Sequence, residues 1–191
     1  MAYTRKKTTV KTDKQKKTAC YEVDGFKYKS KVLAEYHKEL KSNPYISSFS
    51  LPEIEDDKKA RNGKYNSYTV VIDNVSFDSV MESRFYLRLL EMKAAKQIKS
   101  FSMQVTYELQ PKFKDKVSGK TVRAITYIAD FVVTDADDQV IVVDVKGKET
   151  DVFKIKKKMF QYKYPGVRFM CMRWVNKAGD WFELDDIKKG K

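Results

Sequence analysis

One stretch of the chain, YIADFVVTDADDQVIVVDVKGKE from Tyr127, constrains the fold more than any other. It contains two runs of apolar β-forming residues separated by an acidic turn, a pattern typical of a β-hairpin. Each run holds one carboxylate among its apolar residues, Asp130 in the first and Asp144 in the second. Because an unpaired buried charge is costly, carboxylates in such positions indicate a functional site more often than a structural one.

Hairpin geometry predicts that these carboxylates meet. If the turn centres on Asp137, Asp130 and Asp144 lie directly opposite each other across the two strands. Side chains alternate along a strand, so Asp144 and Lys146 share one face while the valines beside them point to the other. Two opposed carboxylates repel unless a cation lies between them, and such oxygen ligands suit Mg²⁺ or Mn²⁺. The alternative is a surface hairpin with solvated acids, which fits the turn better than these two positions.

Composition narrows the classes of function. A chain of 191 residues with 42% hydrophobic residues can bury a sizeable core, and its net charge of +13 favours a polyanionic partner such as nucleic acid. A basic surface kept only for solubility is the alternative. The single histidine, His37, and the widely separated Cys20 and Cys171 argue against a zinc site or histidine-centred hydrolysis. No apolar run predicts a membrane span or a signal peptide, so we expect a cytoplasmic protein.

The order of periodic segments predicts an α/β fold, with a mixed sheet flanked by helices. The predicted segments are a flexible basic arm (1–17), an accessory N-terminal β-α-β unit (18–52), a charged linker (53–66), the core (67–186) and a basic tail (187–191). In the arm, Arg5, Lys6 and Lys7 are candidate phosphate contacts, and an idle solvated terminus is the alternative.

Within the accessory unit the sequence predicts an extended stretch at 21–28, a helix from near Ser30 and a strand at 46–51. The unit resembles the start of the core, which indicates a degenerate internal duplication. The alternative is that any two strand-helix-strand units look alike. The matching positions are Asp24 with Asp73, Ser30 with Ser79, and ISSFSL from Ile46 with IKSFSM from Ile98.

Asp130 followed by Asp144-Val145-Lys146 resembles the D-X(n)-(D/E)-X-K signature of the PD-(D/E)XK nuclease superfamily, with Ala129 in place of the usual proline. FDSVMESRFYLRLLE from Phe77 is similar to the first core helix of that superfamily, including its acidic residue, here Glu82. The stretch from about 64 to 175, including LQPKF and ITYIADF, further resembles a family of uncharacterised proteins encoded by bacteriophages and prophages. The PD-(D/E)XK superfamily is the fold of many restriction enzymes and of archaeal and phage Holliday-junction resolvases.

The resemblance implies a restriction-endonuclease-like core and a divalent-metal-dependent endodeoxyribonuclease. Its catalytic residues would be Glu82, Asp130, Asp144 and Lys146. Mg²⁺ or Mn²⁺ would be held by the three carboxylates and the backbone carbonyl of Val145. Lys146 would orient or deprotonate the attacking water and stabilise the developing charge. DNA is the expected partner, with branched or structured DNA in phage replication or recombination favoured by analogy. The relatives are commonly dimers, which suggests a homodimer in the host cell cytoplasm.

The helix after the hairpin carries VFKIKKKMFQYKYP, and we expect its apolar face, Val152, Ile155, Met159 and Phe160, to point inward. Its lysines Lys154, Lys157 and Lys158 would then face DNA phosphates, although a solvated lysine face is the alternative. The rival function is a non-catalytic DNA-binding or protein-interaction protein on the same fold.

Overall fold

The computed structural model describes residues 21–28, 30–51, 61–62 and 67–189. The predicted basic arm with Arg5, Lys6 and Lys7 lies outside these residues, as do most of the predicted linker and the last two residues of the tail. The strands are β1 (Tyr21–Val23), β2 (Phe26–Tyr28), β3 (Phe49–Ser50), β4 (Arg61–Asn62), β5 (Ser67–Tyr68), β6 (Val70–Ile72), β7 (Val75–Phe77), β8 (Ile98–Gln110), β9 (Phe113–Lys114), β10 (Thr121–Val122), β11 (Ile125–Asp135), β12 (Val140–Val145), β13 (Arg168–Val175) and β14 (Asp180–Glu183). The helices are α1 (Lys31–Lys41), α2 (Val80–Ala94), α3 (Asp151–Lys163) and α4 (Leu184–Lys189), and no helix in the described part is long and apolar enough to cross a membrane.

A five-stranded sheet in the order β14-β13-β12-β11-β8 forms the centre of the fold. It is mixed, because β12 and β13 run parallel while the other neighbours are antiparallel. Alternation along β12 sends Val143 toward the core that includes Phe85 of α2, and Val142 toward the core that includes Phe153 of α3. The sheet therefore lies between two helices, which confirms the predicted α/β class with a mixed sheet flanked by helices.

The hairpin formed by β11 and β12 has the predicted register. Phe131 pairs with Val143 and Thr134 pairs with Val140, and the ladder ends there, so Asp130 and Asp144 are the residues directly beyond its last pair. The turn is held by Asp135, whose carboxylate accepts hydrogen bonds from the backbone N–H groups of two turn residues. The turn acids therefore stabilise local structure, whereas Asp130 and Asp144 lie at the opposite end of the paired region.

Two segments have the same local fold, as the matching residues predict. The first repeat comprises β1, β2, α1 and β3, and the second comprises β6, β7, α2 and the start of β8. The hairpins share one register, since Tyr21 pairs with Tyr28 and Val70 with Phe77. The stretch predicted as extended at 21–28 is thus a tight hairpin. Both turns use two residues of positive φ, and both helices follow a serine N-cap; the turn residues are Asp24 (51°), Gly25 (85°), Asp73 (47°) and Asn74 (66°).

The third strands of the repeats have different partners. β8 joins the central sheet, whereas β3 pairs with β6 and completes a three-stranded sheet with the hairpin of the second repeat. The strand predicted at 46–51 is accordingly shortened to Phe49–Ser50. The carboxylate of Asp73 accepts hydrogen bonds from the N–H groups of Ser47 and Ser48, which fixes the entry to β3.

Helix α1 packs against α2. The Tyr36 hydroxyl donates to Ser83 Oγ at 2.9 Å in a buried contact, and the Arg84 guanidinium donates to Glu39 at 2.8 Å. Leu40 is 1% exposed and belongs to the same hydrophobic core as Phe85. The first repeat is therefore part of the main core.

Leu40→Ala should destabilise the whole protein. Removing a buried leucine leaves a cavity and typically costs about 2–5 kcal/mol, and here the cavity would open in the shared core. Urea unfolding followed by circular dichroism measures the effect. The control is Val32→Ala on the same helix, because Val32 is 47% exposed and its loss should change stability little. A main transition unmoved by Leu40→Ala would show that the first repeat folds separately.

Candidate active site

Asp144 is the most deeply buried carboxylate among the described residues, with 1% of its surface exposed. Strand β12 positions it on the face of the sheet covered by α3. Tyr127, from the neighbouring strand β11, donates a hydrogen bond of 2.5 Å to Asp144 Oδ1. Burial and the negative charge of Asp144 raise the pKa of the Tyr127 phenol, so it stays protonated and remains a donor. The other oxygen, Oδ2, is buried and accepts no hydrogen bond of good geometry.

Lys146 lies on the same side of β12 as Asp144, as strand alternation predicts. Its Nζ is 3.0 Å from Asp144 Oδ2, an ion pair, and 5.5 Å from the centre of the Phe153 ring on α3. Burial alone would lower the pKa of the Lys146 ammonium, but attraction by Asp144 and Asp130 outweighs it, and the pKa is raised. The side chain therefore carries its charge into a partly buried site.

Asp130 lies where the regular pairing of β11 is interrupted. It falls between the pairs Ala129–Val105 and Phe131–Met103, as does Gln104 on β8, whose φ of 52° is uncommon for a residue other than glycine. Its Oδ2 accepts a 2.8 Å hydrogen bond from the backbone N–H of Val145. Burial and the nearby Asp144 carboxylate raise the pKa of Asp130 to about 7, although Lys146 acts in the opposite direction. Asp130 therefore lies close enough to Asp144 to be affected by its negative charge.

Glu82 lies in the first turn of α2, beside these residues. Its backbone N–H donates to Ser79 Oγ, and the Ser79 hydroxyl donates to Glu82 Oε1 at 3.0 Å, so Ser79 caps the helix and also holds the Glu82 carboxylate. Burial raises the pKa of Glu82, and the charges of Glu82 and Lys146 influence each other. The structure thus brings Asp130, Asp144 and Lys146 together, and places Glu82 next to them with its carboxylate bonded to Ser79.

The carboxylate oxygens of Asp130, Asp144 and Glu82 are ligands of the kind that a divalent cation prefers. Asp144 Oδ2 is buried with the Lys146 ammonium 3.0 Å away, and repulsion between Asp144 and Asp130 is the kind that a cation between them relieves. Over the described ranges, no three histidine, cysteine or acidic side chains already lie close enough to share a metal ion. The chemistry of the two strand carboxylates thus fits a divalent cation, with Glu82 as the third acidic residue beside them.

A cavity of about 640 Å³ opens beside Lys146. Tyr127, Asp144 and Phe153 lie at its buried end, and its lining also includes Lys148 and Lys156. In the part of the chain that the structure describes, neither of these two lysines has an acidic partner. Two cations thus face the same space as the catalytic candidates.

The lysines predicted to bind DNA are in different surroundings. Lys154 is exposed and pairs with Asp151 at 3.0 Å, and Lys158 is exposed. Lys157 is largely covered and pairs with Asp185 at 3.0 Å, with its ammonium over the Phe169 ring. Lys157 therefore connects α3 to α4, whereas Lys156, which the sequence did not single out, faces the cavity.

The predicted inward face of α3 is wrong in two positions. Val152 and Ile155 are 65% and 60% exposed, whereas Phe153 and Phe160 are buried. The physical reason is aromatic packing: Phe160 contacts Tyr107, Tyr127 and Phe169 of the sheet, with ring centres 4.9 to 6.0 Å apart. The helix has two apolar stripes, and only the sheet decides which one is buried.

Sequence reasoning also missed Tyr127 and Ser79, which hold Asp144 and Glu82 in place. Tyr127 lies 17 residues before Asp144, so no local spacing connects them. A signal for Ser79 existed, since a serine followed three residues later by glutamate is the sequence of a capping box.

Residues 62–182 match the model of the family described as Protein of unknown function (DUF1064). The match covers more than half of the chain, so the chain belongs to this family. It includes the second repeat, the central sheet and every site residue above, and it begins after the first repeat. Comparisons with curated proteins and with solved structures gave no match.

Asp130→Asn should stabilise the metal-free protein, and more so at higher pH. The Asp130 carboxyl has an ordinary pKa near 3.8 and a pKa of about 7 in the folded protein. The folded protein therefore loses stability as the pH rises from about 3.8 to about 7, because the buried carboxyl must ionise there. Asparagine keeps an oxygen for the Val145 N–H but has no charge. We expect a gain on the order of 1–2 kcal/mol at pH 8 that shrinks toward pH 5. Thermal melts in EDTA across this range measure it.

The control for this melt series is Asp137→Asn in the exposed hairpin turn, which also removes one negative charge. Its effect on the melting temperature should be small at every pH. A gain for Asp130→Asn that did not change with pH would contradict the interpretation.

Proposed function

We propose that this chain is a divalent-metal-dependent endodeoxyribonuclease of the PD-(D/E)XK type, with a restriction-endonuclease-like core. The observation that carries the proposal is the meeting of Asp130, Asp144 and Lys146 on two adjacent strands, where the buried Oδ2 of Asp144 contacts the Lys146 ammonium and the Asp130 carboxylate lies close by. A buried acid pair with a lysine is expensive to maintain, and a reaction at a polyanionic phosphodiester gives it a use.

The residues that would hold Mg²⁺ or Mn²⁺ are Asp130, Asp144, the backbone carbonyl of Val145, and Glu82 from α2. When bound, such an ion polarises a phosphate and lowers the pKa of a coordinated water. The protein's own part is to keep these acids in place: Tyr127 holds one oxygen of Asp144, and the Val145 N–H holds Asp130.

Lys146 is best suited to stabilise charge. Its ion pair with Asp144 favours the ammonium form, so Nζ donates hydrogen bonds and places a positive charge where the phosphate gains negative charge in the transition state. The Phe153 ring under the ammonium restricts its position. Of the two roles expected from the sequence, orienting the water with charge stabilisation fits this geometry better than removing a proton from it.

DNA is the proposed partner, in keeping with the net charge of +13. Lys148 and Lys156 would contact backbone phosphates at the cavity, with Lys154 and Lys158 at its periphery. Lys157 is assigned to the contact with α4 instead, because Asp185 already neutralises it. The N-terminal Arg5, Lys6 and Lys7 remain proposed contacts outside the described residues.

Asp144→Asn and Lys146→Ala should both abolish metal-dependent cleavage, for different reasons. The first removes a ligand charge, so Mn²⁺ affinity should fall by at least tenfold; the second leaves the ligands in place, so Mn²⁺ affinity should be largely kept. Calorimetric titration with Mn²⁺ and a gel assay on plasmid and branched DNA, with Mg²⁺, Mn²⁺ or EDTA, measure both properties. Lys177→Ala, in the exposed turn after β13, is the matched control.

Full cleavage by both variants would show that these residues are not the active site. Metal-independent DNA binding without cleavage by the parent protein would instead favour the non-catalytic alternative.

Lys148→Ala and Lys156→Ala should each weaken DNA binding and reduce its dependence on salt. Each phosphate contact releases counterions, so the slope of log affinity against log salt should fall by about 1 for each lysine removed. Lys157→Ala should change this slope little. Fluorescence anisotropy in EDTA at several salt concentrations measures the slopes. Equal slopes for all three variants would contradict the assignment of Lys148 and Lys156, but not Lys157, as phosphate contacts.

A further inference from the structure

The cavity beside Lys146 has more apolar lining than contacts with a phosphate backbone require. Ile128 on β11 and Val152 on α3 line it, although they are 52% and 65% exposed, and Phe153 closes its inner end. Exposed branched aliphatic side chains next to a polar site contribute no burial free energy unless a ligand covers them and removes their apolar surface from water. The arrangement therefore indicates a ligand with an apolar part next to the scissile phosphate.

The exposed apolar surface continues along α3. Ile155 is three residues after Val152, and Tyr162, which is 91% exposed, is seven residues further. These spacings keep the three side chains on one face of the helix. This face begins at the cavity and leads away from it.

The charge beside this stripe identifies the kind of partner. Lys156 and Lys158 lie beside the apolar stripe, and in the described ranges neither has an acidic partner. A second copy packed on this face would bring the same lysines together, which is unfavourable. A nucleic acid combines the two properties required, because its phosphates are negative and its bases have apolar faces.

Paired DNA exposes its phosphates but keeps its base faces stacked inside the duplex, so it cannot offer them to Ile128 and Val152. We propose that this cavity and the adjoining face of α3 bind unpaired nucleotides, with phosphates on Lys148 and Lys156 and a base against the aliphatic side chains. The inference rests on the proposed nuclease function, and it names single-stranded or splayed DNA as the substrate class.

The test is binding by the full-length protein in EDTA, measured by fluorescence anisotropy. The probes are one labelled oligonucleotide, the same strand in a continuous duplex, and a duplex with that strand as an unpaired tail. The parent should bind the unpaired forms about tenfold more tightly. Ile128→Thr with Val152→Thr should reduce this preference to about twofold or less, and leave duplex affinity within about twofold, because the change removes the apolar contacts with the base and keeps both lysines.

Val140→Thr is the matched control, since Val140 is also an exposed strand valine, 43% exposed, at the turn end of the hairpin. Val152→Thr alone is the second variant, in case the double change alters folding, and it should show a partial loss. Equal affinity for duplex and single strand, or an equal loss on both, would overturn the proposal. So would a dimer, seen by ultracentrifugation, that Val152→Thr dissociates.

Cleavage of the same probes with Mn²⁺ separates the two proposals. Cleavage of all forms at equal rates, with no binding preference, would leave the nuclease and overturn the substrate assignment. A binding preference without metal-dependent cleavage of any form would overturn the nuclease and retain the nucleotide-binding surface.

Discussion

The burial of Asp144 is the constraint on which the rest of the site depends. A carboxylate with 1% of its surface exposed is stable only if neighbouring groups compensate for its lost hydration. Tyr127 does so with a hydrogen bond and Lys146 with a positive charge. The Tyr127 ring packs against Phe169, and the Lys146 ammonium lies over the Phe153 ring. Asp130 adds a second acid to the same space, and burial together with repulsion from Asp144 raises its pKa to about 7. The aromatic side chains of α3 thereby fix the positions of Tyr127 and Lys146, the two residues that contact Asp144.

The two repeats show how one local fold serves two purposes. At the position of Glu82 the first repeat has Leu33, which is buried in the core, so this repeat offers no equivalent acid. Its aromatic contacts are nevertheless the same: Tyr28, His37 and Phe49 correspond to Phe77, Tyr86 and Phe101, and the equivalent ring centres lie 5.1 to 5.8 Å apart. The first repeat therefore supports α2 by packing, and α2 presents Glu82.

The lysines of α3 show why a run of like charges is hard to interpret from sequence. Two consecutive lysines have different surroundings: Lys157 forms an ion pair with Asp185 of α4, while Lys156 faces the cavity beside Lys146. A rotation of about 100° per residue separates them, and the helix orientation is set by Phe153 and Phe160 on the sheet. The division between structural and binding lysines is thus a consequence of aromatic packing.

The sequence by itself determined the hairpin of β11 and β12, its register, the shared face of Asp144 and Lys146, and the likeness of the two repeats, although not their opening hairpins. These follow from side-chain alternation, turn residues and helix caps, which act over a few residues. Only the tertiary structure decided that Tyr127 holds Asp144, that Ser79 engages Glu82, that β3 pairs with β6, and which stripe of α3 is exposed. These depend on contacts between segments far apart in the chain, where several apolar faces compete for one core and sequence spacing carries no information about the outcome.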